Sequence, residues 1–261
     1  MRGVFCPNIQ ISLMKKIGNI AYVENPHPSQ HLDLYLPEKD SFPLFVYFHG
    51  GGIESGDKKN EGFVCEYLAS RGIAAVSANY RMYPDAHYPD FLEDAAAVIK
   101  WVTLHIGEFG DCNGIFVGGS SAGGYISMML CFDNRWLGAH SIDPLEIKGW
   151  VHDAGQPTAH YNVLREKGID SRRVICDDTA PIYHVGEKNN YSPMLFIVSD
   201  NDMQNRYEQT MLMQSTLKHF GHGEDVVSLK KMHGGHCEYV VKRDTDGVSV
   251  LGKIVEEFIK K

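Results

Sequence analysis

The chain has 261 residues, of which 43% are hydrophobic and 22% charged, so it is long enough to bury a large core. Its formal net charge of -8 excludes a general nucleic-acid binder, which needs a basic face for phosphate contacts. Local charge can depart from the net value, which leaves room for a compact anionic ligand.

Residues 17–24 (IGNIAYVE) and 31–37 (HLDLYLP) alternate apolar and polar residues around the turn-like NPHPSQ, which predicts an opening antiparallel pair. The pattern then changes to continuous apolar runs, PLFVYFHGG (43–51) and IAAVSANY (73–80), as expected of strands buried on both faces of a parallel sheet. Between them, EGFVCEYLASRG reads as a helix closed by Gly72. Phe91, Ala95, Val98 and Val102 fall at helical spacing, and GIFVGG (114–119) returns to strand. The rhythm continues through the strand-like KGWVHDAG, MLFIVSD and VVSLKKM, the helical NRYEQTMLMQSTLKHFG, and a closing amphipathic helix with Leu251, Ile254, Val255 and Phe258. Such alternation implies a mostly parallel sheet with helices on both faces, whose active sites lie at the carboxyl ends of the strands. No linker or repeat divides the chain, so residues 1–261 are expected to form one α/β domain.

No run of about 18 apolar residues offers a membrane span. MRGVFCPNIQISLMKK lacks the continuous apolar segment of a secretory leader, and Met14 is a second candidate start. The six cysteines (Cys6, Cys65, Cys112, Cys131, Cys176, Cys237) show no C-x-x-C pair, so reduced thiols in a cytoplasmic protein are expected. No cofactor is implied, and the sequence leaves a homo-oligomer open.

Two glycine-rich motifs follow buried runs. Gly119-Ser120-Ser121-Ala122-Gly123 is a G-x-S-x-G pattern between the strand IFVG and the helical YISMML, the arrangement that exposes a nucleophilic serine on a sharp strand-to-helix turn. The flanking glycines centre on Ser121 rather than Ser120. His49-Gly50-Gly51-Gly52 lets backbone N–H groups approach a developing oxyanion, and Gly51, Gly52 and the N–H of Ala122 are the candidates for that role. A phosphate-cradling loop is the competing reading, but neither Gly-Lys-Ser/Thr nor G-x-G-x-x-G follows. His49 itself reads as a loop anchor.

With HGGG at 49–52, YRMYPD at 80–85 and GSSAGG at 119–124, the sequence resembles the hormone-sensitive-lipase-like branch of the α/β-hydrolases, from about residue 30 onward. Ser120 stands where that family has Asp, and Asp85 where it has Glu. The stretch before His49 is too short for the family's N-terminal cap, so a small carboxylesterase is the better match. The resemblance implies the α/β-hydrolase fold and a serine nucleophile followed along the chain by an acid and a histidine. The acid is expected at Asp202, after MLFIVS, with Asp200 and Asp153 as rivals. His236 is preferred as base over His233 because it fits the family's small-small-His pattern, although Cys237 follows where Gly is usual. His233-x-x-His236 lacks a third ligand for a metal.

About forty residues separate Asp153 from Met194, and residues 156–191 are expected to form a small lid or pocket wall after the sixth strand, with His160 and Tyr161 as candidate substrate contacts. The expected substrate is a small ester with a short acyl chain, or an acylated sugar or aromatic-acid ester by family analogy. An arylformamidase-type amidase and a non-catalytic ligand-binding relative are the alternatives.

Overall fold

The computed structural model describes residues 14–261. Cys6 and the leader reading of the first residues lie outside the described residues. The sheet has eight strands: β1 (Lys15–Ala21), β2 (His31–Leu36), β3 (Ser41–Phe48), β4 (Ala74–Ala78), β5 (Asp111–Ser120), β6 (Gly149–Asp153), β7 (Met194–Ser199) and β8 (Val227–Met232). Their spatial order is β1-β2-β4-β3-β5-β6-β7-β8. The β1–β2 and β2–β4 pairs are antiparallel, and every later pair is parallel.

The helices are α1 (Gly62–Ser70), α2 (Asp90–His105), α3 (Ala122–Phe132), α4 (Asn134–Gly138), α5 (Tyr161–Glu166), α6 (Arg206–His219) and α7 (Val250–Ile259). Successive side chains of a strand point to opposite faces, and β3 divides accordingly. Leu44, Val46 and Phe48 join a core with α2, α3 and α6, while Phe45 and Tyr47 join a second core with α1 and α7. That two-sided burial is the reason the run reads as continuously apolar rather than alternating. Every residue of α3 is buried, so this helix lies against the sheet centre and its N-terminus is fixed at the end of β5.

The connection between β6 and β7 carries α5 and a small apolar cluster of Ala159, Leu164 and Ala180. It is fastened to the loop after β3. Asn162 Nδ2 donates to Gly52 O at 2.9 Å, and Arg165 forms an ion pair with Glu54. Among the described residues no helix is long and apolar enough to cross a membrane.

Candidate active site

β5 ends at Ser120 and α3 begins at Ala122, so Ser121 alone makes the turn. Its backbone sits at φ 57°, ψ -111°, a conformation that costs a non-glycine residue about 1–3 kcal/mol and is held by its surroundings. The Ser121 N–H donates to Asp153 O at 2.8 Å, and the Tyr125 N–H donates to Ser121 O at 3.0 Å. The turn closes only because its flanking positions lack side chains. A Cβ on Gly123 would stand 1.9 Å from Phe48 O, and one on Gly119 would stand 2.5 Å from the same atom.

Three side chains from three loops meet here. Ser121 Oγ lies 2.8 Å from His236 Nε2, and His236 Nδ1 lies 2.5 Å from Asp202 Oδ1. Asp202 follows β7 and His236 follows β8, whose parallel pairing brings both loops to the carboxyl edge beside the β5 turn. The Asp202 carboxylate is fully buried. Burial pushes its pKa up, but the bond from His236 and the N–H groups of Met203 and Ser199 outweigh that effect and hold it below the usual carboxylate range. With Asp202 ionised, Nδ1 of His236 carries the proton and Nε2 is free to accept from the serine hydroxyl.

The rival residues lie elsewhere. His233 pairs with Asp200 at 2.5 Å, but its side chain is 93% exposed, so this pair faces solvent. Asp153 is buried under the serine turn, where Ser120 Oγ and the Tyr239 hydroxyl both donate to it, and Ser120 also meets the Tyr47 hydroxyl at 2.6 Å. Burial, working against those bonds, raises the Asp153 carboxyl to about 6. The carboxylate that the family pattern leads one to look for at position 120 is thus supplied from β6 to a serine at that position.

The His49–Gly52 loop faces Ser121. A Cβ on Gly50 would lie 3.3 Å from Ser121 Cβ, and Gly51 and Gly52 adopt φ of 117° and 68°. His49 is buried, with Nδ1 2.6 Å from Gly50 O and its ring stacked on Tyr80 at 4.5 Å. Tyr80 donates to His49 O at 2.8 Å, and Arg81 forks onto Asp94, so YRMYPD underpins the glycine loop. The Ala122 N–H is one of the first four of α3, which lack intrahelical acceptors.

A hollow of about 540 Å³ opens above Ser121 and His236. Its lining combines the polar Glu54, Asn60 and Glu61 with the apolar Met203, Val240 and Val241. Tyr161 lines it, and its hydroxyl occupies the space into which a Gly52 side chain would project. His160 does not line it. The structure buries His160 as the N-cap of α5, where Nδ1 accepts from the Asn162 N–H, so the expected substrate contact from this residue is corrected to a structural one. Glu61, which sequence reading passes over, lines the hollow with Oε2 buried and without a hydrogen-bond partner, and burial raises its carboxyl to about 7. A larger cavity of about 590 Å³ lies at the opposite ends of the parallel strands, around Pro43, Lys148 and Met194, away from these groups.

This geometry can be set beside known proteins. The BD-FAE family model matches residues 32–144. The chain is 27% identical to probable carboxylesterase 7 of Arabidopsis thaliana over 92% of its own length and 86% of that protein's. It is 35% identical to esterase LipI of Mycobacterium tuberculosis over 41% of its length, which spans 34% of that relative. Esterase B from Lactobacillus rhamnosis superposes with a TM-score of 0.75 at 18% identity, covering 95% of this chain and 85% of that one. The chain has the α/β-hydrolase fold and is similar in sequence to carboxylesterases.

Proposed function

We propose that this chain, a carboxylic ester hydrolase by its relationships, is a serine esterase in which Ser121 is the nucleophile, His236 the general base and Asp202 the residue that orients it. The observation that carries this reading is the continuous bond path from Ser121 Oγ through the imidazole to a buried carboxylate. Ser121 attacks the ester carbonyl as His236 Nε2 takes its proton, and the imidazolium is stabilised by Asp202. The oxyanion forms beside the backbone N–H groups of Gly51, Gly52 and Ala122. His236 then returns the proton to the leaving alcohol, and water repeats the sequence on the acyl-enzyme.

The open hollow and the polar residues in its lining favour a short acyl chain and a hydroxylated or aromatic-acid partner, an acylated sugar among them, over a long-chain lipid. The β6–β7 connection serves as the pocket wall, with Tyr161 as its contact. Hydrolysis of p-nitrophenyl acetate, butyrate and octanoate by wild type and by Ser121→Ala tests the reading. Turnover of the short esters that vanishes in the variant supports it; equal activity in both rejects Ser121 as nucleophile.

A further inference from the structure

Beside the hollow, sharing Tyr161 and Met203 with it as a common wall, lies a recess of about 260 Å³. Its floor holds Arg206, the first residue of α6, which is only 4% exposed. Of the five N–H donors of that guanidinium, Nη1 donates to Ala154 O and Nη2 to Gln156 Oε1 at 3.3 Å, both uncharged acceptors. Among the described residues no carboxylate comes within the 4.0 Å of an ion pair to it. A buried charge is costly unless paired, and an unpaired buried arginine bordering an open recess therefore leaves an unmet requirement for an anion. Burial pushes the Arg206 pKa down, with Asp202 the main charge opposing that shift from a distance.

Two further arginines line the recess. Arg172 is held by Asp170, whereas Arg173 makes no ion pair among the described residues. The hollow itself is lined by Glu54, which is ion-paired with Arg165, and by Glu61. The serine hollow thus adjoins a basic recess, and an ester with an anionic end is attracted toward it. The net charge of -8 conceals this local reversal.

We propose that the recess floored by Arg206 and flanked by Arg173 is an anion subsite, and that the preferred ester bears a carboxylate seated there while its scissile carbonyl lies at Ser121. The proposal rests on the serine-esterase reading for its second half only. Succinate binding to the Ser121→Ala protein, measured by calorimetry, tests the subsite without catalysis. Binding that weakens about tenfold with Arg206→Gln, the scale of one charge-assisted contact, and also weakens with the exposed Arg173→Gln, supports it. Because Arg206→Gln risks misfolding, Arg173→Gln decides alone if the first is not folded. No succinate binding, or binding indifferent to the folded variants, overturns it.

Turnover then locates the carboxylate. Mono-p-nitrophenyl succinate against p-nitrophenyl butyrate places it on the acyl side, and 4-acetoxybenzoate against phenyl acetate on the alcohol side. The kcat/KM ratio of anionic to neutral ester should exceed one in one pair and fall in the arginine variants; ratios below one in both pairs overturn the substrate assignment. Failure of all four esters with wild type would instead reject the esterase reading, while the succinate result would still decide the subsite.

Discussion

Replacing Asp202 by Asn keeps the side-chain volume and removes the charge on which His236 depends. Asp202 Oδ1 accepts from His236 Nδ1 and from the Met203 N–H at 2.7 Å, and Oδ2 accepts from the Ser199 N–H at 3.2 Å. An asparagine has one acceptor oxygen for these three donors. Where that oxygen takes the Oδ2 place and serves the Ser199 N–H, the amide NH2 turns toward Nδ1, which must then accept. The proton moves to Nε2, where it faces Ser121 instead of being free to receive the hydroxyl proton. A wrong tautomer in this arrangement costs on the order of 10⁴ in kcat, or about 5.5 kcal/mol of barrier. Asp200→Asn is the matched control, since that carboxylate serves only the exposed His233 and the Gly234 N–H, and kcat should change by less than about threefold. Steady-state hydrolysis of p-nitrophenyl butyrate at pH 8, with circular dichroism to confirm folding, gives both numbers. A folded Asp202→Asn enzyme within tenfold of wild type, or a larger loss from Asp200→Asn, would refute the assignment of the acid.

Two further outcomes follow from the packing around the serine. The Asp153 carboxyl is raised by burial from 3.8 to about 6, so the native state keeps a proton that the unfolded chain has released in that interval. Its contribution to stability is therefore complete below pH 3.8 and is lost as pH rises through 6, a difference on the order of 3 kcal/mol. Asp153→Asn should flatten that part of the stability profile, as read from urea melts of both proteins at pH 4 and pH 7; parallel profiles would show that the carboxyl is not perturbed. Gly123→Ala drives a methyl group into the Phe48 carbonyl, and neither backbone can yield without opening the serine turn. The variant should be at least about 3 kcal/mol less stable or fail to fold, and a melting temperature equal to wild type would contradict the close approach.

Much of this site is legible in the sequence because the chemistry sits in short local motifs at strand ends. G-x-S-x-G needs only its own five residues and the following helix to define a turn, and HGGG needs only its glycines. The order of elements follows from apolar runs too long for alternation and too short for helices. What the sequence conceals depends on residues far apart along the chain. Ser120 and Asp153 each look anomalous alone, one as a departure from the family pattern and the other as a rival acid. Only the β5–β6 pairing reveals that they satisfy each other, with Tyr239 contributed from 86 residues beyond Asp153. His160 and Tyr161 are neighbours of similar character, and the start of α5 sends one into the interior and the other to the hollow. Arg206 opens α6, and nothing in its neighbourhood along the chain signals the burial that its bond to Ala154 O entails. Glu61, in the same way, is masked by the amphipathic pattern of the segment it introduces.

The most direct test of the central claim is covalent. Diethyl p-nitrophenyl phosphate should form a bond between phosphorus and Ser121 Oγ as p-nitrophenolate departs, with the serine proton taken up by His236. Tandem mass spectrometry of the digested protein should locate the diethylphosphoryl group on Ser121, in step with loss of ester hydrolysis. A label on buried Ser120, or full inactivation with no label on either serine, would contradict the account.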